Sequence, residues 1–240
     1  MSQPPSVDTA LTDPATRPQG AARDWWAAGE DVYRAILDHP FVTGLTDGSL
    51  PTPAFEYYLI QDAHYLRGYA RALSLLASRA PHDPDLVLFA TSAATAIEVE
   101  RTMHASLLGA LGIDAARAAA VEPGPQTCAY VDWLLATAAT GTFSDGLAAV
   151  LPCYWVYARV GERLAAASSP DPRYATWIAT YADEAFQATV AAVLDTVDRV
   201  GDGLGPLDRA RARTLYRRGV VHEWSFWDAA WTGLTWPDFG

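Results

Sequence analysis

The sequence predicts an all-α protein, a single-domain bundle of about seven helices. Long runs that alternate Val, Ile and Thr with polar residues, which are typical of strands, are scarce. Proline and glycine divide the chain from Asp24 onward into long pieces joined by short loops. The chain has 240 residues, half of them hydrophobic, and no internal repeat is visible. One large core is therefore expected rather than two small ones.

The N-terminal stretch differs in composition from the rest of the chain. Its first 22 residues are rich in Pro, Ser, Thr and Ala, and they lack the basic start and apolar block of a signal peptide. We expect residues 1–22 to be a flexible tail and residues 23–240 to form the helical domain.

Several helix starts are marked by a capping residue followed by proline. Thr52, Asp83 and Asp171 can each serve as an N-cap, and proline follows each of them. Proline is tolerated at the first helical position because the amide hydrogen there has no partner inside the helix. Beyond the pattern that starts at Asp24, the predicted helices run over residues 52–80, over 83–111, from about 126, through the segment that contains Cys153, from 172, and over 206–231.

Charge and cysteine content restrict the partners and the compartment. The formal net charge is −11, every basic residue is an arginine, and the arginines form no stripe. Nucleic acid is therefore a disfavoured partner. No apolar run reaches the roughly 20 residues of a membrane span, so no membrane partner is expected. Two cysteines do not suggest a disulfide framework, which fits a cytoplasmic protein.

A carboxylate interrupts the apolar stripe of the helix predicted over residues 52–80. Positions three and four apart share one face of a helix. That face carries Phe55, Leu59, Asp62, Leu66, Tyr69, Leu73 and Leu76. A carboxylate on a buried face is costly unless it is hydrogen-bonded. From the residues alone, Asp62 is either tied to a core tyrosine or a facing helix N-terminus, or it belongs to a functional site.

Glu223 makes a similar interruption in the last predicted helix, within "HEWSFW". It shares a face with Tyr216, Phe226 and Trp227. A buried carboxyl among aromatic rings has a raised pKa, and the protonated form is the one that a general acid needs. The alternative is an ordinary ion pair with an arginine at a solvated edge.

Cys153 lies in "LPCYWVYARVGERL", residues 151–164, directly after a proline. Pro152 removes a backbone donor and clashes with the carbonyl of Ala148, so we expect a kink or a local irregularity there. Free cysteine is commonly a core residue, and spacing alone favours that role for Cys153 and for Cys128. A reactive thiol would need a nearby hydrogen-bond donor or base.

Several stretches together resemble the TenA family, which is also called thiaminase II or aminopyrimidine aminohydrolase. They are "HPFVTGLTDGSLPTPAFEYYLIQDAHYL", "EVERTMH", "TCAYVDWL", "LPCYWVYARVGERL", "WIATYADEAF" and "HEWSFWDAAW", in this order from about His39 to Trp231. The "LPCYWxY" and "ExxFW" elements are specific, whereas "HPF" alone is weak. The resemblance implies the haem-oxygenase-like helical fold without haem or another cofactor, and a homotetramer.

The resemblance also implies roles for individual residues. Cys153 matches the nucleophile, which places the chain in the cysteine-bearing branch, and Glu223 matches the acid/base residue. Tyr65 matches a tyrosine that helps to activate the thiol. The expected substrate-binding residues are Asp62, which binds the aminopyrimidine, Tyr130, Tyr157 and Tyr181, which line the pocket, and Phe226, which stacks on the pyrimidine. Trp224 departs from the family pattern and is expected to alter the pocket rim.

The function implied by the resemblance is hydrolysis of a small-molecule aminopyrimidine. The enzyme would release ammonia from an aminomethyl-aminopyrimidine to give hydroxymethylpyrimidine, in thiamine salvage, and thiamine could be cleaved in the same way. A di-iron oxidoreductase on the same scaffold is the alternative. Its candidate ligands are Glu100, His104, His39, His64 and His222, but repeated Glu-x-x-His elements are too few. The negative charge argues against a DNA-binding regulator.

Overall fold

The computed structural model describes residues 12–17, 19–99, 102, 105–167 and 169–239, and within these ranges it contains helices and no strands. This confirms the all-α prediction. The helices are α1 (Ala21–Leu37), α2 (Pro40–Asp47), α3 (Thr52–Ala77), α4 (Asp83–Val99), α5 (Ala105–Ala110), α6 (Ala115–Ala120), α7 (Pro125–Thr140), α8 (Phe143–Ala165), α9 (Pro172–Tyr181), α10 (Glu184–Asp202) and α11 (Pro206–Thr232). None of them combines the length and the apolar character that a membrane crossing requires.

The described residues form eleven helices rather than about seven, and polar side chains start three of the additional ones. His39 accepts a hydrogen bond from the Phe41 amide and starts α2. Asp114 caps α6 in the same way. Asp183 accepts hydrogen bonds from the two amides that follow Glu184 and thereby separates α10 from α9. These caps bind backbone donors that no helical carbonyl can reach.

The proline-marked helix starts are reproduced closely. Asp171 caps α9, and Pro172 is its first residue, as predicted. In α3 the N-cap is Pro51, so Thr52 is already helical. The predicted helix over residues 83–111 corresponds to α4 and α5, and most residues between these two helices lie outside the described ranges.

The N-terminal stretch is docked where the structure describes it. The Trp155 indole donates to the Thr12 carbonyl at 2.7 Å, and the Thr12 hydroxyl donates to the Gln187 side chain at 2.9 Å. Thr12 is fully buried, and α1 already starts at Ala21. This differs from the flexible tail expected over residues 1–22, because residues 12–17 contribute contacts to α8 and α10. Residues 1–11 lie outside the described part of the chain.

Helix α8 occupies the centre of the bundle. A capping box between Thr142 and Asp145 starts it, and most of its residues are buried. It packs against α11, α7, α9, α10 and α3, and α3 in turn packs against α4 and α7. Side chains from several directions therefore converge on the middle of α8, where Cys153 lies.

Pro152 lies inside α8, and the helix continues through it as one element. On the facing helix α11, Gly219 provides the space for the proline ring. A Cβ atom added to Gly219 would lie 2.6 Å from Pro152 Cγ, which is closer than real contacts allow. The pair lets α8 and α11 approach closely, and this sets the position of the neighbouring Cys153 relative to α11.

We expect Gly219→Ala to destabilise the protein by about 1–3 kcal/mol, because the new methyl group overpacks against Pro152. Gly109→Ala is the matched control, since a Cβ there meets nothing within 4 Å. In that helix the substitution should stabilise by about 0.5–1 kcal/mol. Urea unfolding of both variants measures the difference, and equal effects at the two positions would contradict this account of the packing.

Candidate active site

A cavity of about 600 Å³ reaches into the bundle between α3, α4, α8 and the junction of α9 with α10. Four of the residues predicted for the site line it: Asp62, Cys153, Tyr157 and Tyr181. The rest of the wall is formed by the Asp183 carboxylate and by apolar and hydroxyl side chains, among them Leu88 and Thr95 of α4 and Phe186 of α10. Such a space holds a small aromatic molecule with several polar groups to orient it.

The other four predicted residues form a buried layer behind the wall. Tyr65, Tyr130, Glu223 and Phe226 are each at most 4% exposed, and none of them lines the cavity. The Tyr65 ring lies 4.8 Å from the Tyr130 ring and 5.6 Å from the Phe226 ring. In this structure core rings surround Tyr130 and Phe226, whereas the resemblance implied that Tyr130 lines the pocket and that Phe226 stacks on the pyrimidine.

The Cys153 thiol is half-buried and faces the cavity. Burial raises the pKa of this thiol well above its usual range, and the nearby Glu223 carboxyl raises it further. The hydroxyls of Tyr65 and Tyr69 act in the opposite direction, because a hydrogen bond to sulfur favours the thiolate. At neutral pH the resting residue is therefore a thiol, with donors in place for the thiolate.

Helix α3 places three polar groups on the cavity side. Asp62 is 2% exposed, and Tyr65 and Tyr69 follow it after one and two turns. The buried Tyr65 hydroxyl has no hydrogen bond of regular geometry within the described residues. A buried donor of this kind costs free energy, and it is available to a thiolate or to a ligand.

Glu223 is a protonated carboxyl at neutral pH. Burial raises its pKa to about 8, and the Asp62 charge also raises it. The Tyr130 hydroxyl donates to Glu223 Oε1 at 2.6 Å and opposes this shift, because it stabilises the carboxylate. The prediction of a desolvated carboxyl among aromatic rings is thus confirmed for Glu223, and no arginine ion pair holds it within the described part of the chain.

Two tyrosines that the sequence did not single out also belong to the site. Tyr69 lines the cavity and donates to the Val150 carbonyl at 2.9 Å, one turn before Cys153. Tyr58 donates to the Tyr157 hydroxyl at 3.2 Å. Tyr69 stood on the apolar stripe with Asp62, so its position was a usable signal. Nothing local distinguishes Tyr58 from a packing residue.

The remaining sequence expectations fall outside the cavity. Cys128, in the first turn of α7, is partly exposed rather than a core residue. Trp224 is not at the pocket rim, since its ring packs edge-on against His39 at 5.6 Å and does not line the cavity.

The histidines proposed as metal ligands have other contacts. His39 lies 3.5 Å from Asp228, and His64 lies 2.8 Å from the Val121 carbonyl. Glu100 and His104 lie outside the described residues. Among the residues that are described, no three His, Cys, Asp or Glu side chains are grouped in a way that could hold a metal ion.

Comparison with known proteins identifies the family. The model of the TENA/THI-4/PQQC family matches residues 26–233. The chain belongs to this family. The matched range lies inside residues 23–240, where the sequence analysis placed the helical domain. In two relatives the identity extends over nearly the whole chain.

The first of these relatives is the thiamine biosynthesis multifunctional protein ThiED of Corynebacterium efficiens, which is 42% identical over 93% of this chain. The chain spans only 30% of that relative's length. The aminopyrimidine aminohydrolase of Bacillus subtilis is 30% identical over 92% of this chain and 90% of its own.

Solved structures confirm the haem-oxygenase-like fold. The TenA homologue of P. horikoshii OT3 superposes with a TM-score of 0.82 at 30% identity, over 89% of this chain and 99% of that one. A domain with a heme oxygenase-like fold from Shewanella denitrificans OS217 gives a TM-score of 0.68 at 16% identity, over 85% of this chain and 89% of the other.

We expect Tyr65→Phe to slow alkylation of Cys153 by iodoacetamide, because the thiolate loses a hydrogen-bond donor. The variant should unfold no more easily than the parent, since the removed hydroxyl has no regular partner among the described residues. Alkylation rates across the alkaline range, measured in a Cys128→Ser background, test this. An unchanged rate together with a clear loss of stability would assign Tyr65 to packing only.

Proposed function

We propose that the protein is an aminopyrimidine aminohydrolase that releases ammonia from an aminomethyl-aminopyrimidine and forms hydroxymethylpyrimidine, in thiamine salvage. The observation that carries this proposal is the arrangement of Cys153 and Asp62 on one cavity wall with the protonated Glu223 close behind. The family and the relative from Bacillus subtilis support the same reaction.

In the proposed complex, Asp62 accepts a hydrogen bond from the amino group on the pyrimidine ring and fixes its orientation. Tyr157 and Tyr181, whose rings lie 4.8 Å apart at an angle of 43°, provide an aromatic wall beside it. Aromatic walls bind a flat heterocycle and exclude bulk water. The ring carbon next to the aminomethyl-bearing carbon then faces the Cys153 sulfur.

The reaction begins with addition of sulfur to that ring carbon. The thiol proton passes to the aminomethyl nitrogen, and Glu223 donates its proton to a ring nitrogen. Electrons from the ring then break the bond between the methylene carbon and the nitrogen, and ammonia leaves. Covalent addition thus replaces one difficult displacement by several easier steps.

Water completes the reaction. Its oxygen adds to the exocyclic methylene, and its proton goes to the Glu223 carboxylate. The bond from carbon to sulfur breaks, and the proton on the ring nitrogen returns to sulfur. The products are hydroxymethylpyrimidine and ammonia, with the thiol and the carboxyl restored. Thiamine would react by the same addition and elimination, with its neutral thiazole as leaving group and the thiol proton released to solvent, and a cavity of about 600 Å³ has room for it.

A cytoplasmic location and a homotetrameric assembly are further parts of the proposal, and both rest on the family resemblance. Light scattering on the purified protein tests the assembly. The enzymatic proposal is tested by measuring ammonia release from the aminomethyl form of the thiamine pyrimidine, with thiamine in parallel. Absence of turnover on both compounds would overturn it.

We expect Cys153→Ser to lose turnover and keep its fold, because serine is similar in volume and far less nucleophilic. Cys128→Ser is the control, since Cys128 does not line the cavity. An ammonia-release assay and a thermal melt on both variants check this. If Cys153→Ser keeps the wild-type rate, the covalent mechanism is wrong.

We expect Glu223→Gln to lose roughly 10²–10⁴ in rate, because an amide occupies the same space and cannot transfer a proton. Wild-type activity should fall as the pH rises through about 8, where Glu223 loses the proton that the reaction requires. This alkaline limb should be absent in the variant. A pH–rate profile measures both effects, and a variant that retains the limb would show that another group moves the proton.

A further inference from the structure

His222 is a partly buried residue of α11. The proposed mechanism gives it no role. It directly precedes Glu223 on α11, and its ring packs against α7. The imidazole lies parallel to the Tyr130 ring, with 4.8 Å between centroids and an angle of 7°. The Trp133 ring lies 5.0 Å away on the same side of the bundle. The imidazole and the Tyr130 ring thus form a close, nearly parallel stack.

Gln126 fixes the position and the tautomer of this imidazole. Its side-chain nitrogen lies 3.3 Å from His222 Nδ1 and 3.3 Å from the His222 carbonyl oxygen. An amide nitrogen only donates, so Nδ1 accepts in this contact, and the neutral tautomer with its proton on Nε2 is the one that fits. Burial and the nearby Arg218 charge lower the pKa of His222 to about 4, which keeps the ring uncharged at neutral and alkaline pH.

The ring on which His222 stacks is the one that binds the catalytic carboxyl. Tyr130 is fully buried and donates to Glu223 at 2.6 Å. A phenol can hold so short a hydrogen bond only while its ring is kept in place. Tyr65 contacts Tyr130 at 4.8 Å, but at an angle of 35°, so the parallel contact comes from His222.

We propose that His222 is a positioning residue, whose neutral ring, fixed by Gln126, holds Tyr130 in the orientation from which its hydroxyl donates to Glu223. This rests on the proposed function, in which Glu223 moves the proton. The residue acts through Tyr130 and does not touch the substrate. Loss of the stack weakens the one hydrogen bond that favours the carboxylate form.

The other groups around Glu223 do not replace this bond. The titratable residues that interact electrostatically with it are Asp62, Tyr58, Tyr65 and Tyr69 of α3, Tyr130 of α7, Cys153 and Tyr157 of α8, Tyr181 of α9, and Tyr216 of α11. Apart from Tyr130, none of them donates a hydrogen bond to Glu223 within the described residues. When the Tyr130 bond is weakened, burial and the Asp62 charge dominate, and the proton is held more tightly.

The kinetic test compares His222→Ala with His222→Phe, which restores a flat ring. We expect His222→Ala to lose roughly 10- to 100-fold in kcat, the scale of one hydrogen bond to a charged group, with KM within a few fold. The pH at which its activity falls on the alkaline side should rise. His222→Phe should restore most of the rate, and its activity should fall at the wild-type pH. His222→Leu fills the space without a flat face and should resemble His222→Ala, which covers the case in which the alanine variant folds poorly.

A double-mutant cycle separates this role from packing. If His222 acts through Tyr130, then His222→Ala has no further effect on kcat in a Tyr130→Phe background. Additive effects of the two substitutions would overturn the proposal. The proposal would also be overturned if His222→Leu had the wild-type rate and the wild-type pH dependence.

A measurement that needs no turnover distinguishes failure of the inference from failure of the proposed function. The carboxyl carbons of isotopically labelled glutamate are titrated by NMR, and the Glu223 signal is assigned by its absence in Glu223→Gln. We expect its midpoint to rise in His222→Ala and in Tyr130→Phe, and to stay at the wild-type value in His222→Phe. An unmoved midpoint in His222→Ala would overturn the inference even if the wild-type enzyme releases ammonia. A wild-type enzyme without turnover would overturn the proposed function, while the NMR midpoints would still decide the role of His222.

Discussion

The removal of the Glu223 carboxyl from water is the constraint on which the rest of the site depends. The carboxyl is 1% exposed, and its pKa is raised to about 8 by burial. Three helices contribute to its environment: α11 carries the residue, α7 supplies the Tyr130 hydroxyl, and α3 supplies the Asp62 charge. The same desolvation raises the pKa of Cys153, so the carboxyl and the thiol are both protonated at rest. In the proposed reaction, both protons are needed, one for the ring and one for the departing amine.

This arrangement has a cost in stability that depends on pH. The pKa of Glu223 is near 4.5 in the unfolded chain and about 8 in the folded protein. Between these values the folded state holds a proton that the unfolded state has lost, so this group makes the protein less stable as the pH rises through that window. The buried Tyr65 hydroxyl, which has no hydrogen bond of regular geometry among the described residues, is a second local cost. Fully buried rings such as Trp155, Trp177 and Trp227 contribute burial of apolar surface to the core, which offsets these costs.

Much of the fold and part of the site could be predicted from local signals. Pro172 after Asp171 marks a helix start that depends only on backbone chemistry, and the structure has it at that position. Asp62 and Glu223 were recognisable because each interrupts an apolar stripe, and both are buried. The proposed nucleophilic role of Cys153 could not be predicted in this way. The local sequence indicates a core residue, and only the family resemblance implies a nucleophile.

What sequence reasoning missed depends on contacts between distant segments. The α4 wall of the cavity and the docking of Thr12 on α8 and α10 arise from tertiary packing. The periodicity of the sequence does not predict either of them. The layering of the site is also a tertiary property. The sequence could not tell that Tyr130 and Phe226 stand behind the wall while Tyr157 and Tyr181 form it. The sequence suggests His222 as a candidate metal ligand, whereas in the structure its ring packs against two aromatic rings of α7.

The central claim, that Glu223 is a neutral carboxyl at neutral pH, is tested most directly by infrared spectroscopy. The difference spectrum between wild type and Glu223→Gln isolates the carboxyl stretch of this one residue over a pH titration. The account predicts the band of a protonated carboxyl at neutral pH, which gives way to the carboxylate bands with a midpoint of about 8. Carboxylate bands that are already complete at mildly acidic pH would contradict it.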